Sequence, residues 1–131
     1  MAIRKKINPV NWFEIPVRDM KRAKRFYEKT FGMQLALNDI EHTWGAFSMA
    51  WFPMAGNAQG ATGALIKGAS YRPSRSGTII YFTVKDIGST LRKIKANGGR
   101  MLMPKTGIGE YGSIAQFEDT EGNRLALHSM K

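Results

Sequence analysis

One unit occurs twice in this chain. Residues 10–20, Val-Asn-Trp-Phe-Glu-Ile-Pro-Val-Arg-Asp-Met, run into a helical stretch that stops at Phe31 and Gly32. At one constant offset, residues 77–87, Gly-Thr-Ile-Ile-Tyr-Phe-Thr-Val-Lys-Asp-Ile, do the same and stop at Gly98 and Gly99. Val17 then matches Val84, Asp19 matches Asp86, Arg25 matches Arg92 and Gly32 matches Gly99. A duplicated strand–Asp–helix unit in 131 residues predicts two small halves facing each other. The crevice between them is the expected place for a site.

Each copy reads the same way. Phe13, Ile15 and Val17 alternate with Trp12, Glu14 and Pro16, the period of a half-buried strand. Pro16 cannot donate to a ladder, so it marks an edge or the strand's end. Asp19 suits an N-cap, where a carboxylate accepts the free N–H groups of the first turn. Ala23, Phe26, Tyr27 and Phe31 then form one apolar stripe at helical spacing, and Gly32 suits a left-handed helix end. Strand-like runs follow at residues 34–37, 43–52 and 62–67, with turn residues at 53–60. Residues 68–77, rich in Ser and holding Pro73, read as the connection. In the second copy, residues 78–84 predict a strand, Asp86 a cap, and Ile87, Leu91 and Ile94 a narrower stripe. Strands are expected at 100–103, 113–118 and 123–129, with a tight turn at 119–123 in which Gly122 takes positive φ. The fold class is α+β: two tandem βαβββ modules, about residues 8–67 and 77–130, joined by a linker at about 68–76 and forming a cupped mixed sheet.

Composition narrows the functional classes. The length suits one domain with a real core. The chain has no cysteine, which excludes disulfides and thiolate metal sites. Its N-terminus is charged without an apolar signal core, and no apolar run approaches a membrane span. A soluble cytoplasmic protein without membrane association is therefore expected. The net charge is +10. Many of the cations lie early, at Arg4 to Lys6 and along residues 18–29, and read as the solvated faces of a tail and a helix. Nucleic-acid binding through the basic helix 20–30 is the weaker alternative, since no recognition motif accompanies the charge. A basic surface also steers anionic small molecules toward a cleft.

With Phe13 to Met20, Arg25 to Gly32, Phe117 to Arg124 and the repeat in view, the chain resembles the vicinal oxygen chelate superfamily. That superfamily contains glyoxalase I, bleomycin-resistance proteins and extradiol dioxygenases, and the glyoxalase-like branch is the most similar. The resemblance covers residues 8–130. It implies paired βαβββ modules around a cupped sheet. It also implies, in the metalloenzymes, two metal ligands from each module, on its first and last strands. Carried onto this chain, those positions are Trp12, Ile79 and Ala126, with the fourth falling within residues 62–66 and best matched by Ala64. None has an imidazole or carboxylate, so no metal and no other cofactor is expected.

Two residues along a strand return to the same face. From the four ligand positions, that step gives Glu14, Ile66, Tyr81 and His128. Glu14, Tyr81 and His128 are the candidate catalytic residues, since a carboxylate and an imidazole suit acid–base chemistry. Trp12, Trp51, Met49, Glu110 and Tyr111 are the candidate ligand-binding residues. Trp44, Phe52 and Met54 are further candidates for an aromatic and methionine wall. Residues 106–112 read as a mobile flap, and His42 with Glu41 as a remote third donor. The leading expectation is metal-independent binding of a small molecule, neutral or anionic rather than cationic. The alternative is a lactoylglutathione-lyase-like lyase or isomerase using Glu14, Tyr81 and His128 for acid–base chemistry or a non-standard metal site. The resemblance also implies a homodimer.

Overall fold

A computed structural model describes residues 8–42, 45–57 and 59–131. The first module holds β1 (Trp12–Pro16), α1 (Met20–Phe31), β2 (Ala36–His42), β3 (Gly45–Trp51) and β4 (Thr62–Lys67). The second holds β5 (Tyr81–Thr83), α2 (Ile87–Ala96), β6 (Arg100–Gly107), a 3-10 turn (Gly109–Tyr111), β7 (Ser113–Glu118) and β8 (Arg124–Ser129). The strands form two four-stranded sheets, ordered β1-β4-β3-β2 and β5-β8-β7-β6. In each sheet the first and last strands of the module are parallel, and the remaining pairs are antiparallel. The α+β class and the βαβββ order of both halves are as expected. Among the described residues, no helix is long and apolar enough to cross a membrane.

The helix signals act as their chemistry dictates. Asp19 accepts the Arg22 N–H at 3.0 Å, and Asp86 accepts the Ser89 N–H at 3.1 Å. Gly32 ends α1 with φ 66°. Pro16 lies on an edge strand, because β1 pairs only with β4. Three strand boundaries differ from expectation, the first being β6, which runs past residue 103 to Gly107 and into the segment read as a flap. β2 begins at Ala36 and runs to His42 through Asn38 and Asp39. Those polar residues lower strand propensity, yet they belong on an edge strand. β5 covers only Tyr81–Thr83, because Gly77 turns the chain with φ 93°. Residues 78–80 therefore run beside β8 with few ladder bonds.

Much of the space between the halves is filled, and a cavity of about 140 Å³ remains, lined by Glu14 and Pro16 of the first half and Thr78, Ile80 and Arg124 of the second. Phe26, Tyr27 and Ala23 of α1 share one core with Ile15, Val17 and Leu65 of the first sheet. The same core takes in Phe117, Leu125 and Leu127 of the second sheet. Phe31 stacks on Phe82 at 4.6 Å, and Phe26 lies 6.2 Å from Phe117. Phe52, expected in the cup, packs here beside Phe13, Tyr27 and Phe82. Each large side chain buried this way contributes about 1.5–3 kcal/mol. Each helix thus covers one face of its own sheet and touches the other helix, and the opposite face of each sheet looks outward.

The turn between β7 and β8 fastens the halves. Glu121 is buried and accepts the N–H groups of Arg18 and Asp19, both at 2.8 Å. It also accepts two bonds from the Arg22 guanidinium, at 2.8 and 3.0 Å. Asp119 accepts the Tyr27 hydroxyl at 2.6 Å and the N–H groups of Glu121 and Asn123. Asn123 donates to the Pro16 carbonyl at 2.8 Å and accepts the Ser74 N–H at 3.0 Å. Gly122 supplies the turn with φ 94°.

Burial by itself would push the Glu121 carboxyl up, but the bonds from Arg22, Asp19, Thr120 and Arg18 hold it below its ordinary 4.5. A lowered native pKa gives stability that is present above the ordinary value and lost as pH falls through the native one. Burial raises the Asp119 pKa, so its charge opposes folding at neutral pH and that cost is relieved by acid. Glu121→Gln is expected to cost about 2–4 kcal/mol at pH 7. The difference from the parent protein should shrink below pH 4.5, as read by urea titration. A deficit of equal size at pH 7 and pH 3 would refute the assignment.

Candidate functional site

Alternation along β1 sends Phe13 and Ile15 into the core and Trp12 and Glu14 to the outward face. On that face a second apolar cluster forms around buried Met49, Ala64 and Ile66, with Trp12, Phe47, Trp51 and Tyr71 packed against it. The Trp12 and Trp51 rings meet edge-to-face, 5.3 Å apart at 71°. Trp12 Nε1 donates to Glu14 Oε2 at 3.3 Å. Trp51 Nε1 is enclosed and has no partner among the described residues. The sheet register sets Glu14, Ala64 and Trp51 level on three neighbouring strands. Met54 is exposed, away from this cluster. Trp44 and the side chains of Glu41 and His42 lie outside the described residues.

The outward face of the second sheet is more polar. Tyr81 is 48% exposed and stands level with buried Ala126, which stands level with Gln116. His128 lies one rung further, level with Thr83 and Ile114. Its Nε2 is 2.6 Å from the Tyr111 carbonyl oxygen. A carbonyl only accepts, so His128 donates there through Nε2–H and leaves Nδ1 as the free ring nitrogen when neutral.

The segment expected as a flap forms the turn Gly109–Tyr111 and is tied down. The Ile108 N–H donates to the Gly112 carbonyl at 2.9 Å, and Tyr111 is fastened to His128. Gly112, at φ 95°, lies so close to β8 that a Cβ there would meet the Ser129 carbonyl at 2.2 Å. Glu110 and Tyr111 both point to solvent.

The structure brings together Trp12, Glu14, Trp51 and Met49 on one face, and Tyr81, His128 and Tyr111 on another. Among the described residues, no hydrogen bond joins Glu14 to Tyr81 or His128. Glu14 lines the small cavity between the halves with Thr78, Ile80 and Arg124 of the second half. Glu14 and Tyr81 also stand level with Ala64 and Ala126, not one rung beyond them. Counting along single strands cannot reveal that offset, because it depends on the parallel pairing of β1 with β4 and β5 with β8.

A family model described as the Glyoxalase/Bleomycin resistance protein/Dioxygenase superfamily matches residues 9–127. The chain belongs to this superfamily. It is 31% identical over 119 residues to a glyoxylase-like domain-containing protein of Didymella fabae, covering 90% of this chain and 91% of the relative. In fold it is similar to a glyoxalase I mutant of Zea mays, with TM-score 0.67 and 19% identity, covering 93% of this chain and 46% of the maize chain. It thus spans about half the length of the maize protein. It is also similar to TnmS3, an antibiotic binding protein from Streptomyces sp. CB03234. That match has TM-score 0.62 and 23% identity and covers 96% of this chain and 98% of that one.

The superfamily's metal invites a test of fit. The positions that the family resemblance gives to ligands hold Trp12, Ala64, Ile79 and Ala126. Ala64 and Ala126 are fully buried under their neighbours, and Ile79 lies outside β5. Among the described residues, no group of three or more His, Asp or Glu could hold an ion. These residues do not fit a divalent metal, which needs imidazole or carboxylate donors at such positions.

Nitrogen-15 spectra of His128 should show the Nε2–H tautomer for the neutral ring; a predominant Nδ1–H form would contradict the contact with Tyr111. Gly112→Ala should destabilise the protein by about 2 kcal/mol or more, through the positive φ and the clash with β8 together. Thermal melting measures the loss.

Proposed function

We propose that this protein binds a small, neutral or anionic organic molecule on the outward face of its first sheet, without a metal. The observation that carries this reading is the Trp12–Trp51 pair above Ala64, with the Glu14 carboxylate beside it. Two half-buried indoles give a flat molecule large contact at little entropic cost. Glu14, exposed beside the pair, adds an acceptor. The antibiotic binding protein TnmS3 lends support, since the chain is similar to it over nearly its whole length.

The reading extends to a homodimer. An outward sheet face makes half of a cup, and a second copy would supply the other half. The face with Tyr81, His128 and Tyr111 would then sit opposite Trp12 and Glu14 of its neighbour. The acid–base alternative has the same requirement, because Glu14 and His128 are not joined within one chain.

A panel of aromatic metabolites and antibiotics, screened by thermal shift before and after chelator treatment, tests the proposal. A ligand is expected to raise the midpoint by mass action, quench tryptophan fluorescence and ignore the chelator. Trp51→Ala and Glu14→Gln should each weaken that ligand at least tenfold, about 1.4 kcal/mol. Affinity unchanged in both variants, or abolished by chelation, would sink the reading. Light scattering should give about twice the 14.7 kDa chain mass.

A further inference from the structure

At the far end of the first sheet lies a second cleft. β1 and β4 run parallel from Trp12 and Thr62 to Pro16 and Ile66. Five residues of extended chain place this end about 16 Å from Trp12. Here a cavity of about 800 Å³ opens between the sheet's end and the start of the linker. Its wall carries Arg18, Lys67 and Arg72 against one carboxylate, Asp39. Phe47 and Tyr71 line it too, with their rings 5.9 Å apart at 62°.

The backbone assembles these groups. The Val17 N–H donates to the Ile66 carbonyl at 2.9 Å, which sets Arg18 beside Lys67. The Tyr71 N–H donates to the Gly68 carbonyl at 3.1 Å, a tight turn that brings Tyr71 and Arg72 back over the strand ends. Gly68 permits this: a Cβ there would lie 3.1 Å from both Phe47 Cβ and Tyr71 Cδ2. Among the described residues, none of Arg18, Lys67 and Arg72 is in an ion pair, although the chain forms such pairs elsewhere. Unpaired cations converging on a concave, aromatic-walled space favour an anion. A volume near 800 Å³ is that of a drug-sized ligand site.

We infer that this cleft binds a small molecule with a phosphate or carboxylate on a planar ring, at the end of the first sheet opposite the Trp12–Trp51 pair, with Phe47 and Tyr71 belonging to the apolar cluster that joins the two ends. The guanidinium forks of Arg18 and Arg72 and the ammonium of Lys67 take the anion. The half-buried Tyr71 ring, backed by Phe47, takes the plane of the ligand.

Adenosine monophosphate and salicylate are the probes, with adenosine and inorganic phosphate as single-feature controls. Amide spectra of the intact protein should shift at residues 17–18, 47–48 and 67–72 with at least one of the two probes. Adenosine and phosphate should each bind at least tenfold more weakly than adenosine monophosphate, if that is the probe bound. Arg18→Ala with Arg72→Ala should lower the bound probe's affinity at least tenfold and leave the melting midpoint unchanged, because both side chains are exposed. Tyr71→Ala should weaken the probe further, whereas Trp51→Ala should not. The inference is overturned if neither probe shifts these amides at millimolar concentration, or if the shifts fall on Trp12 and Trp51. It is equally overturned if phosphate alone binds as well as the whole probe, or if a single-stranded oligonucleotide outcompetes it.

Discussion

Two carboxylates, Asp119 and Glu121, lie buried at the junction of a chain whose net charge is +10. A buried charge is tolerable only when its oxygens are saturated with donors. Here the donors come from across the chain: Tyr27, Arg22 and the N–H groups entering α1 for one side, and the turn's own N–H groups for the other. The first module thus satisfies the second module's acids, and neither half is complete alone. Because Glu121 holds the segment that leads into α1, the same contact fixes the start of that helix at the junction of the two halves. That placement decides which sheet faces remain exposed, and so where a ligand can go.

The duplicated unit made the two modules, both helix caps and the alternation of β1 legible, because each rests on interactions within a few residues. Asp19 and Asp86 cap helices for a local reason, and Trp12 and Phe13 part to opposite faces for a local reason. The stacking of the halves was not legible. Residues 119–123 read as a tight turn, which they are, but nothing in the turn announces that its acids reach Arg22 and Tyr27. β2 was misplaced because Asn38 and Asp39 are poor strand formers that an edge tolerates.

The candidate site divides along the same line. Trp12, Glu14, Met49 and Trp51 were assigned by strand parity, and all four gather on one face. Their union with Tyr81 and His128 depends on how the two sheets are placed against each other, which parity along single strands does not encode. The cleft of Arg18, Lys67 and Arg72 gave no signal in the sequence. Its members come from a strand end, a loop and a turn, and amid so many cations none stands out until Ile66 and Val17 bring them level.

Ala64 and Ala126 explain the absence of a ligand set better than a simple loss of donors does. Each is fully buried at the middle of its sheet's outward face. Over Ala64 pack Trp12 and Trp51, which need a small residue beneath them to meet at 5.3 Å. An imidazole at Ala64 would push the two indoles apart and leave its own polar nitrogens to be satisfied. Aromatic contact and metal ligation therefore compete for the same space, and in this chain the aromatic arrangement holds it. A molecule bound on this face, as proposed, would meet carbon surface first and Glu14 second, which suits recognition of a flat molecule more than polarisation of its oxygens.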